Sequence, residues 1–261
     1  MDGTLLNTEK QILDSSIEAI HEAVQHGKTV CVSSGRCMPE MAELMHTVPS
    51  IRFYTGAAGG FIYDSYTGEY IYKHAIPPEA VRSILEVTQH HDIMPILMSD
   101  DAYCQTDQIP KMPAYGAQQY QELYQKVFTH VDDIYECYFS KPFPVYKMNI
   151  YTPSSEITAH FHKLLVSPDT EIVFNEGIYL EITAKGVSKG TAYKALCAHL
   201  SVPPEETIAV GDECNDLAML TASGFAIAMG NANPAVKAIA NAIVADNNSG
   251  GCAEAIKDYL L

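Results

Sequence analysis

A short β-prone run that ends in a small, polar loop and leads into a helix occurs near both ends of this 261-residue chain, and that repetition restricts the fold more than any other feature. Near the amino end, Thr29-Val30-Cys31-Val32 gives way to Ser33-Ser34-Gly35-Arg36. Pro39 then stands where a first helical turn begins, and Met41, Leu44 and Met45 continue at helical spacing. Towards the other end, Thr207-Ile208-Ala209-Val210 runs into Gly211-Asp212, ahead of a helix predicted over 215–221 and a strand over 225–228. Strand–loop–helix units of this kind build parallel α/β sheets, which bind ligands beyond the carboxyl ends of their strands.

The flanking pattern is helical over 8–26, with Ser15 and Glu18 at capping-box spacing, an apolar stripe of Ile17, Ile20 and Val24, and a stop at Gly27. Phe61-Ile62-Tyr63 and Tyr70-Ile71-Tyr72 flank Thr67-Gly68 as a hairpin. From residue 79 the rhythm changes. A helix over 79–89, strands over 94–98 and 102–106, a polar Tyr/Gln-rich stretch, a strand over 144–151, a helix over 155–165 and a hairpin turning at Asn175-Glu176-Gly177 follow. A helix over 188–200 restores the α/β order. The fold expected is α/β: a Rossmann-like core with a parallel sheet from residues 1–77 and 184–261, interrupted by an α+β domain with an antiparallel sheet over 78–183.

Composition narrows the function. No stretch approaches the roughly 20 apolar residues that cross a bilayer, and the start lacks the layout of a signal peptide. The seven cysteines are odd in number, scattered and never spaced CxxC, which predicts reduced thiols in a cytoplasmic protein. A net charge of −16 repels a polyanion over most of the surface, against nucleic-acid binding. It leaves room for one small phosphorylated ligand held locally by a cation, a lysine and backbone N–H groups.

Three places carry candidate chemistry. In Gly211-Asp212-Glu213-Cys214-Asn215-Asp216, two carboxylates one helical turn apart suit a hard cation such as Mg²⁺; the weaker alternative is a turn residue and a helix-N-terminal charge. Ser34 with Gly35 offers a hydroxyl and close backbone approach to a phosphoryl oxygen, or is a plain strand-to-helix turn. Lys189 sits in a first helical turn, where the macrodipole disfavours a cation unless an anion binds at the same point; a solvated surface lysine is the alternative.

The order Asp2-Gly3-Thr4, Ser34-Gly35-Arg36, Lys189-Gly190, then Gly211-Asp212 with Asn215-Asp216 resembles the motif series of the haloacid dehalogenase (HAD) superfamily. Phe225-Ala226-Ile227-Ala228-Met229-Gly230-Asn231-Ala232 is similar to the segment that follows the last motif in its Cof-type subfamily, whose inserted cap is of type C2B. The resemblance implies an Mg²⁺-dependent phosphatase that works through an aspartyl-phosphate on a small phosphorylated metabolite. It implies Asp2 as acid/base and, through its backbone carbonyl, a metal ligand. Asp212 becomes a carboxylate ligand, with Asp216 and Asn215 near the metal and the phosphate. Lys189 becomes the charge-neutralising catalytic lysine, and Ser34, Gly35 and Arg36 fall on the phosphate or substrate side.

One element of that family's signature, Asp-x-Asp-Gly-Thr-Leu, is absent: with Met1 at x, the nucleophilic aspartate precedes residue 1. The expectation is that about ten β-prone, apolar residues ending in Asp lie upstream in frame, and that the chain as written turns over little substrate. The alternative is a non-catalytic relative that binds a phosphorylated metabolite or a protein partner. Eight of the sixteen tyrosines fall between Tyr103 and Tyr151, where they either stack on sugar faces or fill a thin core.

Overall fold

The computed structural model describes residues 1–175 and 179–261; Glu176 and Gly177 of the expected turn, and Ile178, lie outside the described residues. The chain divides into two compact units. One comprises Met1–Gly35, Leu44–Tyr72 and Ser188–Leu261, the other Arg36–Glu43 and Lys73–Val187.

The first unit is α/β, with its strands in two sheets. In one, Cys31–Ser33 pairs in parallel with Phe53–Gly56, which pairs antiparallel with Phe61–Asp64; Glu69–Lys73 completes the order. In the other, Ile208–Gly211, Phe225–Ala228 and Ala242–Ile243 are all parallel. The expected parallel core is therefore present in two pieces, with the 61–64/69–73 hairpin as its antiparallel edge. All four residues of Phe53–Gly56 are buried, as suits a strand covered on both faces.

Local chemistry sets where the helices begin. The first runs Asp14–Gln25 rather than from residue 8, and its amino end has no side-chain cap. Asn7 Oδ1 accepts the N–H groups of Glu9 and Gln11, at 3.0 and 2.8 Å, which holds residues 7–11 in turns. Gly27 ends this helix at φ +76°, as its position predicts. Helix Lys189–Leu200 starts on a reciprocal cap between Ser188 and Thr191.

The second unit is α+β. Its six-stranded sheet has the order Thr129–Val131, Ala102–Gln105, Met94–Met98, Lys147–Tyr151, Tyr179–Ala184, Thr170–Asn175. The pairings are antiparallel except for Ala102–Gln105 with Thr129–Val131, which is parallel. The Tyr/Gln-rich stretch supplies a 3₁₀ run, Thr106–Tyr115, and two helices, Gln118–Val127 and Ile134–Ser140. Six of its eight tyrosines are buried (Tyr115, Tyr124, Tyr135, Tyr138, Tyr146 and Tyr151), so this cluster fills the core. The hydroxyls of Tyr124 and Tyr151 satisfy each other at 2.9 Å.

Candidate active site

The site is built at the carboxyl end of Ile208–Gly211, within the first unit. The chain leaves that strand at Gly211, where a Cβ would stand 2.7 Å from the Asp216 side chain, so only glycine lets the loop fold back so tightly. A single 3₁₀ turn, Cys214–Asp216, returns Asp216 beneath the loop, where its Oδ2 accepts the N–H groups of Asp212 and Glu213 at 3.1 and 3.2 Å. Its Oδ1 accepts from Lys189 Nζ at 2.7 Å, and the same ammonium donates to Asn215 Oδ1 at 3.1 Å. Both members of the Lys189–Asp216 pair are 6% exposed. Lys189 is thus a buried cation at the first turn of its helix, not a solvated surface lysine.

Asp212 faces the amino-terminal segment. Thr4 Oγ1 donates to Asp212 Oδ1 at 2.5 Å, and a Cβ on Gly3 would come within 2.1 Å of Asp212 Oδ2. The segment is fastened by two asparagines. Asn231 Nδ2 donates to the Gly3 carbonyl at 2.8 Å and Asn247 Nδ2 to the Leu6 carbonyl at 2.9 Å, while Asn247 N–H donates to Asn231 Oδ1 at 3.0 Å. The Asp2 side chain, about two-fifths exposed, pairs with Lys10 at 2.9 Å.

Ser34 is buried, its N–H donating to the Thr55 carbonyl at 2.9 Å and its carbonyl accepting from Ala58 at 3.1 Å. Ala57, Ala58 and Gly59 all have positive φ, and a Cβ on Gly59 would meet the Ser188 carbonyl at 2.2 Å. That turn joins the Ser34 loop to the amino end of the Lys189 helix. Arg36 belongs to the other unit, where its Nη1 reaches the Glu40 carbonyl at 3.4 Å. The structure therefore gathers Lys189, Asn215, Asp216, Asp212 and the Asp2–Thr4 turn, and ties Ser34 in through the Ala58 N–H. Asn231 lies in the segment that resembles the Cof-type subfamily, but its bond to Gly3 spans 228 positions and that of Asn247 to Leu6 spans 241, so neither contact is visible from spacing; Lys10 carries no motif signal.

The two aspartates are tuned in opposite directions. Burial raises the Asp212 carboxyl above its ordinary value, only partly countered by the Thr4 hydrogen bond. Burial is the largest single influence on Asp216 and would raise it too, but the charge and hydrogen bond of Lys189, the Met1 ammonium and the Glu213 N–H together outweigh it and hold that carboxyl below its ordinary value.

Among the described residues no group of three or more His, Cys, Asp or Glu side chains is arranged to hold a metal. Mg²⁺ does not require one, since it takes one or two carboxylates and completes its octahedron with water and substrate oxygens. Asp212 fits such an ion: it is a half-buried carboxylate and, among the described residues, its side-chain partner is the Thr4 hydroxyl rather than a cation. Asp216 does not present a free face, because both of its oxygens are committed to N–H and ammonium donors. Its place is to position Lys189 and the Asp212 loop.

The haloacid dehalogenase-like hydrolase family matches residues 1–256. The chain belongs to that family. A chloroplastic protein of Arabidopsis thaliana, endoribonuclease YBEY, is 27% identical over 272 residues; the alignment covers 99% of this chain but only 45% of that protein. Phosphatase YwpJ of Bacillus subtilis is 26% identical over 290 residues, covering 100% of the chain and 98% of the relative. Among solved structures, the subclass IIB sugar phosphatase BT4131 superposes with a TM-score of 0.81 at 25% identity, covering 100% and 97% of the two chains. By family the protein is a HAD-type hydrolase and its near-full-length relatives are phosphatases, as the motif order implies. The α/β core with an α+β unit is the HAD fold. Among the described residues no helix is long and apolar enough to cross a membrane.

Proposed function

We propose that this is an Mg²⁺-dependent phosphatase acting on a small phosphomonoester of a polar metabolite, such as a sugar phosphate. The observation that carries the reading is the buried Lys189 ammonium, held by Asp216 and Asn215 beside the desolvated Asp212 carboxylate. A cation sequestered in this way offers its remaining donor capacity to an anion, and burial strengthens that attraction.

Bound at Asp212 and the Asp2 carbonyl, Mg²⁺ would supply positive charge opposite the phosphoryl oxygens. Lys189 neutralises the same group from the other side, and Asn215 and Asp216 keep the ammonium in place. Ser34 Oγ and the Gly35 backbone donate to a phosphoryl oxygen. Asp2 protonates the departing alcohol and then takes a proton from water, which requires it to leave Lys10. On this reading the phosphoryl group passes through an aspartyl-phosphate that water then hydrolyses. Seven free cysteines and high acidity fit a cytoplasmic enzyme of small metabolites rather than a nucleic-acid or membrane protein.

A panel of phosphomonoesters assayed with Mg²⁺, on this chain and on one extended by an Asp ahead of Met1 with a preceding β-prone run, tests the reading. Hydrolysis by the extended form that is lost in Lys189→Met supports it. Mg²⁺-independent hydrolysis, or none by either form, removes it.

A further inference from the structure

The outer strands of the six-stranded sheet in the second unit differ in how they meet solvent. Thr129–Val131 is three residues long, and so short an edge offers little to pair with. Thr170–Asn175, on the other side, is six residues long. It carries neither lysine nor proline, the side chains that usually blunt an edge, and its one charge, Glu171, is already paired with Lys185 at 2.8 Å. Its inner edge is paired with Tyr179–Ala184, and among the described residues no strand lies on its outer one.

Apolar side chains gather along that edge. Val173 is 50% exposed and Phe174 44%, on opposite faces of the strand. Phe174 shares the helix-covered face with Ile172, and its ring is 6.3 Å from that of His162 in the helix Ser155–Leu164. That helix packs on both Thr170–Asn175 and Tyr179–Ala184, and Leu164 and Val166 at its end are exposed. Charge is balanced here. Lys163 and Lys185 stand against Asp169 and Glu171, in a chain of net charge −16.

We propose that Thr170–Asn175 is a self-association edge: it pairs antiparallel, about a two-fold axis, with the same strand of a second copy of this chain, joining two sheets into one. Charge selects the occupant. A chain this acidic repels its own copy over most of its surface, so the copy approaches closely only through a face where the charges balance. A basic partner is drawn instead to the acidic remainder. Symmetry then sets the register, because an axis normal to the sheet places one residue opposite itself, and residues opposite each other share a face. With Val173 on the axis, Ile172 stands opposite Phe174 of the copy, and the centre of the join is apolar. With Ile172 on the axis, Glu171 would stand opposite Val173 of the copy, which desolvates a carboxylate. The Val173 register is therefore the favoured one. A contact built on one strand pair lies at the small end of specific interfaces, below about 1,200 Å², so the dimer is weak and reversible. The inference concerns the second unit alone and does not depend on the phosphatase reading.

Sedimentation velocity of the full chain over a micromolar concentration series, with hydrogen exchange of the 171–174 amides, tests it. The parent is expected to pass from monomer to dimer, its 171–174 amides gaining protection as the dimer forms. Val173→Lys brings two ammonium groups together at the axis and is expected to weaken association at least about tenfold, with loss of that protection. Val173 is half exposed, so folding of the monomer is left intact. Ile243→Lys is the control: Ile243 is 55% exposed on an outer strand of the first unit, and this variant is expected to dimerise as the parent does. Added salt is expected to tighten the dimer by screening the net repulsion between copies. A parent that stays monomeric throughout the series overturns the proposal. So does a dimer that Val173→Lys leaves intact, that Ile243→Lys dissolves, or that salt weakens.

Discussion

Lys189 and Asp216 form a contact of 2.7 Å in which both side chains are about nineteen-twentieths hidden from water. The pair joins the first turn of one helix to the loop after a strand 27 residues away. Removing the cation alone strands a carboxylate in the interior, which typically costs 3–5 kcal/mol, or about that here. Lys189→Met should therefore lower unfolding stability by roughly that amount, and Lys189→Met with Asp216→Leu by clearly less. Urea unfolding of the two single variants and the double variant gives the coupling.

Asp212 is expected to be the carboxylate through which Mg²⁺ stabilises the fold. At ten times its dissociation constant, a ligand that binds only the folded chain adds about 1.4 kcal/mol. A Tm that rises with Mg²⁺ in the parent and stays level in Asp212→Asn is the expected result. The readout needs no turnover, so it applies to the chain as it stands.

The pairing of Arg52 with Asp64 predicts a pH dependence. Arg52 donates to both Asp64 oxygens, at 2.7 Å through Nη2 and 3.0 Å through Nε, and Asp64 is 2% exposed. Its hydrogen bonds to Arg52 hold the carboxyl below its ordinary value against the opposing effect of burial. A folded-state value below the unfolded one means the stabilisation is complete above the unfolded value and is lost as pH falls through the folded one. Asp64→Asn should cost about 2 kcal/mol at pH 7, where a hydrogen bond to a charged group is broken. The gap from the parent should close as the solution is made acid enough to protonate Asp64, which unfolding titrations across that range will follow.

Much of this was legible in the residues because the motifs are local. Gly211-Asp212 marks a strand end, and Lys189 in a first turn is anomalous unless something negative lies near it. Other features were not legible for equally physical reasons. Ser15 and Glu18 have capping spacing, yet the helix starts at Asp14 because Asn7 holds the preceding residues in turns. The tyrosine cluster looked like a binding surface as much as a core, and only long-range pairings such as Tyr124 with Tyr151 decide between them. Arg36 stands two residues from Ser34 in sequence, yet the chain assigns it to the other unit. Asn231 and Asn247, which fasten the amino-terminal turn, act across more than 200 positions, so no spacing rule reveals them.

Gly3 offers the sharpest single-atom test of the site. Its φ of +70° lies where an L side chain costs about 1–2 kcal/mol, and a methyl group there would sit 2.1 Å from Asp212 Oδ2. Gly3→Ala must therefore both strain the turn and push the Asp212 carboxylate away from Thr4. The expected outcome is a loss of about 2 kcal/mol or more in unfolding free energy, together with a weaker Mg²⁺-dependent rise in Tm. Gly27→Ala is the control: its φ of +76° carries the same backbone cost, but no atom lies within 4 Å of the added methyl. That variant should lose stability by a similar backbone increment while keeping the full response to Mg²⁺. If both variants lose the response equally, close approach of Gly3 to Asp212 is not what shapes the site.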